Sequence, residues 1–317
     1  MRHHARIVPP QQGDVWVSAS IGPSGELMTL WSAEADQRAL TPVTSAQGAS
    51  FPDARASRPT AARVTVHSPE MAVVAWIPHL RLAHPTVQPL PDGRVLAVGA
   101  RCEWRPEGAD RNAIVYSSTG EVLAEQTFGD AIGHVQTTRN GEIWVGYFDE
   151  GIFGAYGWGE EDSAPPIGER GLLRFSAGLA LEWQYPELAE EVWGHLSDCY
   201  ALNVDGDTAW TCSFGDFPVL RIRDGGVTGW YNDVRGAGAL LVGEPRVALY
   251  GGYGPDCDRL VSGVLEDDRF RVAGEYRLVL PDGREVPQTA LVFGRGPDLH
   301  VLVEDDWFRL SLDDIPG

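Results

Sequence analysis

The stretch "NGEIWVGYF", Asn140 to Phe148, is a tight-turn dipeptide followed by an alternating apolar run. Asn-Gly and Asp-Gly supply the positive φ that short hairpins need, so the run predicts an antiparallel partner just upstream, "GHVQTT". The same arrangement recurs as "QGDVWVSAS" from Gln12, "DGRVLAVGA" from Asp92, "DGDTAWTCSF" from Asp205, "GEPRVALYGG" from Gly243 and "RGPDLHVLVE" from Arg295. Trp16, Leu96, Trp144, Trp210, Ala248 and His300 take the same place in the six copies, mostly as a bulky residue. Upstream partners follow as "ARIVPP", "PTVQPL", "CYALNV", "GALLV" and "PQTALVF", and second hairpins such as "NAIVYSSTGEVLAEQTF" and "PVLRIRDGGVTGWY" lie downstream. The repeating unit is therefore four antiparallel strands.

A single sheet of this kind cannot bury both faces, so consecutive units must stack. Six such units over 317 residues resemble a six-bladed β-propeller, an all-β fold, in one domain over 1–317. The blades are expected near 5–79, 84–129, 133–186, 196–233, 236–279 and 286–317. The last unit is one strand short, which predicts that an N-terminal strand completes it. Residues 34–61 read as a Ser/Ala/Pro/Arg-rich surface-loop insertion, with an extra strand "ELMTLWSA" before it. The stretches "HPTVQPLPDGRVLAVGARC", "IWVGYFDEGIFG", "DCYALNV" and "GGYGPD" further resemble uncharacterised actinobacterial propeller proteins, a likeness that implies no activity. More distant likenesses are to NHL-type, gluconolactonase-like and strictosidine-synthase-like propellers. The gluconolactonase-like enzymes imply a channel metal held by Glu, Asn and Asp, a set these inner strands lack.

Composition narrows the partners. The formal net charge is −20, which repels a nucleic-acid backbone or an anionic membrane surface. All 25 basic residues are Arg, so a P-loop lysine and Schiff-base chemistry are excluded. No apolar run nears the roughly 18 residues of a membrane span and no signal peptide is evident, so a cytoplasmic monomer is expected. The four cysteines form no CxxC or zinc-type spacing.

In the propellers this chain resembles, ligands sit where loops enter inner strands and leave second strands. That places His84, His134, His195 and Asp198 at strand starts, and Arg101, Asp149, Glu150, Asp216, Tyr253, Asp256, Glu304 and Asp305 after second strands. Such carboxylates suit acid/base work or a hard cation, Ca²⁺ or Mg²⁺, although loop Asp residues more often serve turns. His134 stands nearly opposite Tyr147 across the Asn140-Gly141 turn. A two-residue turn at Asp205-Gly206 would set Cys199 against Cys212, read as two small packing thiols, whereas one extra residue in the hairpin would shift them apart.

The loop "YFDEGIFGAYGWGEED", Tyr147 to Asp162, offers Tyr147, Phe148 and Trp158 for stacking on a ligand, or for packing between blades. "CSFGDFP" and "GGYGPDCD" hold equivalent places in later units. Two functions remain open. One is a non-catalytic propeller binding a small molecule, peptide or protein at an acidic, aromatic rim. The other is a hydrolase, lyase or cyclase with His134 or His195 as base and Asp198, Asp149 and Glu150 as acid or metal ligands.

Overall fold

A computed structural model describes residues 1–46, 48–68 and 70–316. The fold is all-β: six four-stranded antiparallel sheets, the six blades of a β-propeller, accompanied by a small two-stranded hairpin. The chain divides into two compact units, Val8–Gln184 and Met1–Ile7 with Tyr185–Gly317, each carrying three blades.

In the first unit, blade 1 consists of Asp14–Ile21, Leu27–Ala33, Arg55–His67 and Met71–Leu82. Blade 2 is Pro85–Leu90, Arg94–Gly99, Ala113–Tyr116 and Val122–Gln126, and blade 3 is Ile132–Thr137, Ile143–Tyr147, Leu172–Phe175 and Leu181–Gln184. The second strand of blade 2 shows why these sequences are apolar almost throughout. Val95, Leu96, Ala97 and Val98 are all buried; Val95 and Ala97 join the core shared with blade 1, while Leu96 and Val98 join that shared with blade 3. Each Val or Leu side chain among them, once fully covered, contributes about 1.5–3 kcal/mol. Phe128 and Phe175 stack 3.9 Å apart in the same core.

The other unit repeats the scheme. Blade 4 is Cys199–Asp205, Thr208–Ser213, Val219–Arg223 and Gly226–Trp230; blade 5 is Ala239–Gly243, Arg246–Tyr250, Arg259–Glu266 and Arg269–Arg277. Blade 6 takes Leu291–Arg295, Asp298–Val303 and Asp306–Ser311 from the C-terminal end and Arg2–Arg6 as its fourth strand. The expected N-terminal completion is thus present, with Arg2 opposite Arg309 and Arg6 opposite Asp306. In blade 5, Leu240 and Val242 face the core shared with blade 4, and Ala239 and Leu241 that shared with blade 6.

Buried amides tie the first strands together. In one unit Gln88 donates to Ile21 O at 3.1 Å and accepts from Thr137 N at 3.1 Å, joining blades 1, 2 and 3. In the other, Asn203 donates to Leu240 O at 2.7 Å and Gly296 O at 2.9 Å and accepts from Gly296 N at 2.7 Å, joining blades 4, 5 and 6. A buried amide left without these partners would be costly, so both positions demand the full side chain.

Two local readings are corrected. "QGDVWVSAS" lies on the first strand of blade 1, not the second; its partner is "ELMTLWSA", and the segment upstream pairs with blade 6. The Cys199–Cys212 pairing is displaced because the turn falls one residue later, on Gly206-Asp207, which sets Ala201 opposite Cys212; a bulge at Tyr200 then leaves Cys199 opposite Ser213. The 34–61 segment holds a helix, Glu34–Leu40, whose Leu40 is buried, and the hairpin Val43–Ala46 with Ala49–Pro52; Gln47 lies outside the described residues.

Candidate functional site

In the unit Val8–Gln184, the acidic aromatic loop closes over a buried arginine. Arg101 follows the second strand of blade 2 and keeps only 3% of its side chain exposed. Its Nη2 donates to Asp130 Oδ2 at 2.8 Å, and Asp130 Oδ1 accepts from Cys102 N at 2.7 Å. Nη1 lies 2.6 Å from Glu150 Oε2, a carboxylate about half exposed on the short helix Asp149–Phe153. The guanidinium sits 4.1 Å from the Tyr156 ring centroid and 5.4 Å from that of Phe148, while Nε has no hydrogen-bond partner among the described residues. Gly151 permits this closure, since a Cβ there would lie 2.3 Å from the Asp130 carbonyl oxygen.

Burial pushes the Asp130 carboxyl up to about 6, against the pull of Arg101 and the backbone N–H groups of Cys102 and Ala131; Glu150 adds to the rise. Two of the loop's rings are spent on packing. Tyr147 is fully buried with its hydroxyl 2.5 Å from Phe128 O, and Trp158 donates to Cys102 O at 2.8 Å. Asp149 is exposed and accepts from Glu150 N at 2.8 Å. Of this loop, Phe148, Glu150 and Tyr156 are therefore gathered at Arg101, whereas Tyr147 and Trp158 are buried.

The histidines are engaged locally. His84 is at φ 46°, with Nε2 2.8 Å from Pro42 O, so this nitrogen carries a proton. His134 is half-buried beside a bulge and pairs with Gly146, while Ile132 stands opposite Tyr147. In the other unit His195 Nδ1 lies 3.4 Å from Ser197 Oγ, and the carbonyl of Asp198 accepts from Phe214 N at 2.9 Å.

That second unit also assembles four rings from one strand and two loops. Tyr200, on the bulge, lies 6.2 Å from Phe214, 6.1 Å from Phe217 and 6.2 Å from Tyr253, with Phe214 and Phe217 5.8 Å apart edge to face. Tyr253 OH donates to Tyr200 OH at 2.8 Å. Phe217 is buried beneath, but Phe214 and Tyr253 each keep 50% exposure. Asp216 is exposed between the two Phe residues and has no ion pair among the described residues. Asp256 is occupied by Arg277 at 2.9 Å and Arg259 at 3.4 Å. Ring faces beside an unpaired carboxylate suit a cationic group. Tyr200 and Phe217 escaped the sequence reading because a bulge and a positive φ of 51° at Phe217 bring them in, and Asp130 because it precedes its strand.

Among the described residues no group of three His, Cys, Asp or Glu side chains is arranged to hold a metal ion. Cys199 and Cys212 are buried thiols pushed up to about 12, and burial raises Cys102 still further. Cys257 is exposed, so a disulfide reagent acting on folded protein should modify one thiol per chain, with the other three appearing only in denaturant. No helix among the described residues is long and apolar enough to cross a membrane.

No family model and no curated protein matches the sequence. Among solved structures, Kluyveromyces lactis Hsv2 superposes at TM-score 0.50 with 8% identity, over 94% of this chain and 75% of that one. The β-propeller domain of Myceliophteria thermophila Cps50 (Swd1) gives a weaker 0.47 with 9% identity, over 94% of this chain and 99% of that one. At 8% identity the likeness to Hsv2 is one of fold.

Proposed function

We propose that this protein is a non-catalytic recognition propeller whose Tyr200, Phe214, Phe217 and Tyr253 surface takes a positively charged segment of a protein or peptide. The observation that carries the reading is the half-exposed pair Phe214 and Tyr253 beside the unpaired carboxylate of Asp216. A net charge of −20 draws a basic partner from a distance, and the rings then hold an Arg or Lys side chain. Interfaces concentrate their energy in such aromatic anchors. The hydrolase, lyase or cyclase reading draws less support, because the groups with perturbed protonation, Asp130, Cys199 and Cys212, are buried or ion-paired.

The test is titration of a fluorescent Arg-rich peptide and of its Glu-substituted twin. Binding should favour the Arg-rich peptide and weaken with salt. Joint replacement Phe214→Ala and Tyr253→Ala should lower affinity at least about fivefold, since each cation–π contact contributes about 0.5–2 kcal/mol. Asp216→Asn should flatten the salt dependence. Equal binding of both peptides, or unchanged affinity in the double variant, would reject the proposal.

A further inference from the structure

A second candidate site lies in the unit Val8–Gln184 and does not depend on the aromatic surface. A cavity of about 400 Å³ opens between the outer hairpin of blade 1 and the segment entering the third strand of blade 2. Its polar wall carries Arg55, Arg81 and Arg111 together with Asp110 and Asn112, and its apolar floor is Leu82 with small alanines. In a chain of net charge −20, three guanidiniums around one hollow are against the general trend.

The local carboxylates leave one of these positive charges uncompensated. Asp110 is shared between Arg55, at 2.6 Å, and Arg105, also at 2.6 Å, and accepts from Glu103 N at 3.1 Å besides. Glu103 pairs with Arg105, and Glu125 with Arg81. Four guanidiniums thus meet three carboxylates, and Arg111 is left with the neutral Gln126 side-chain oxygen as its partner and no carboxylate among the described residues. Asn112 contributes rigidity rather than affinity: its amide donates to Gly99 O at 2.9 Å and Gly129 O at 2.8 Å, and its oxygen accepts from Phe128 N at 2.8 Å.

We infer that this cavity binds a small-molecule oxyanion, a carboxylate or phosphate on a compact apolar body. Arg111 and Arg81 would grip the oxyanion and the Leu82 floor would cover the apolar part. The guanidinium fork matches either oxyanion in two-point geometry, and the volume falls within the range of small-ligand pockets.

Phenyl phosphate and benzoate serve as probes, in thermal-shift and calorimetric titrations of the full chain. Sodium chloride at matched ionic strength is the control, because screening alone stabilises so acidic a protein. The proposal expects at least one probe to bind saturably beyond the chloride effect. Arg111→Gln and Arg81→Gln should each weaken binding about tenfold, as loss of a charge-assisted hydrogen bond does. Glu125→Gln, which frees Arg81, should tighten it several-fold. Arg284→Gln, in the other unit, should change nothing. Both Arg81 and Arg111 are exposed enough for their variants to keep the native melting point without ligand. A response equal to that of chloride for both probes, or variants that bind like the native chain, would overturn the assignment; Arg111→Lys, which keeps the charge, gives an independent reading.

Discussion

Replacing Arg101 by Met should destabilise the protein by about 3–5 kcal/mol at neutral pH, the usual consequence of removing one member of a buried ion pair. Met keeps much of the stem volume, so the loss measures the charge and its stacking on Tyr156 more than a cavity. What remains is a carboxylate on Asp130, 1% exposed, without its counter-ion. Its pKa already stands at about 6 with Arg101 present, and removing that guanidinium lets it climb further. The folded state therefore binds a proton more tightly than the unfolded chain, and the Asp130 contribution to stability falls as pH rises through the window from about 4 to 6. In the variant the upper end of this window moves higher. Urea denaturation at several pH values should show the gap between native and variant proteins narrowing as pH is lowered from neutrality. A gap that is small at neutral pH, or that does not close with acid, would contradict the buried-pair account.

Acidification should loosen blade 6 through His300, in the opposite sense. His300 is fully buried, and its ring stacks on Trp307 at 5.6 Å. Trp307 Nε1 donates to Nδ1 at 3.2 Å, so the neutral ring holds its proton on Nε2, which has no partner among the described residues. Protonating Nδ1 would break that bond and bury a cation. Burial, reinforced by the charges of Arg309, His4 and Arg295, lowers its pKa to about 3. Here the folded state binds fewer protons than the unfolded chain. The stability it contributes is complete above the ordinary value of 6.5 and is lost as pH falls toward 3. Two units of that descent correspond to about 3 kcal/mol. His300→Leu should remove this part of the acid sensitivity, so the stability difference between native and variant should change by about that amount between pH 6.5 and 4.5. Trp307 fluorescence reports the same event locally. A difference that stays constant over the window would show that His300 does not titrate on unfolding.

The periodicity of the fold was readable because its signals are local. Asn140-Gly141 and its counterparts mark turns by backbone geometry, and strands buried on both faces must be apolar almost continuously, as Val95 to Val98 are. The first blade was misread for the converse reason. Arg2–Arg6 finds its partner in Asp306–Ser311, and nothing in its own sequence names so remote a strand. Cys199 and Cys212 are set apart by a turn that falls on Gly206-Asp207, a one-residue choice that the Asp-Gly dipeptide alone does not decide.

At the candidate sites, the sequence identified chemistry better than disposition. Arg101 and Glu150 were legible as rim candidates after second strands, and they do meet. Tyr147 and Trp158 have the same composition signature as ligand-stacking rings, but only packing reveals that they are interior. The Arg55, Arg81 and Arg111 cavity was invisible beforehand because its members come from an outer hairpin and a connecting loop, both distant from the loops a propeller reading singles out.

The pairing of Arg2–Arg6 with Asp306–Ser311 also sets a schedule for biosynthesis. His3 and Asp306 are 303 residues apart in sequence yet 2.9 Å apart in the fold. At translation speeds of about 5–20 residues per second, that separation is on the order of tens of seconds during which the early strand has no sheet to join. Until its partner emerges from the ribosome, Arg2–Arg6 is an open backbone ladder, and its two arginines are the kind of charge that keeps such an edge from pairing with a neighbouring nascent chain.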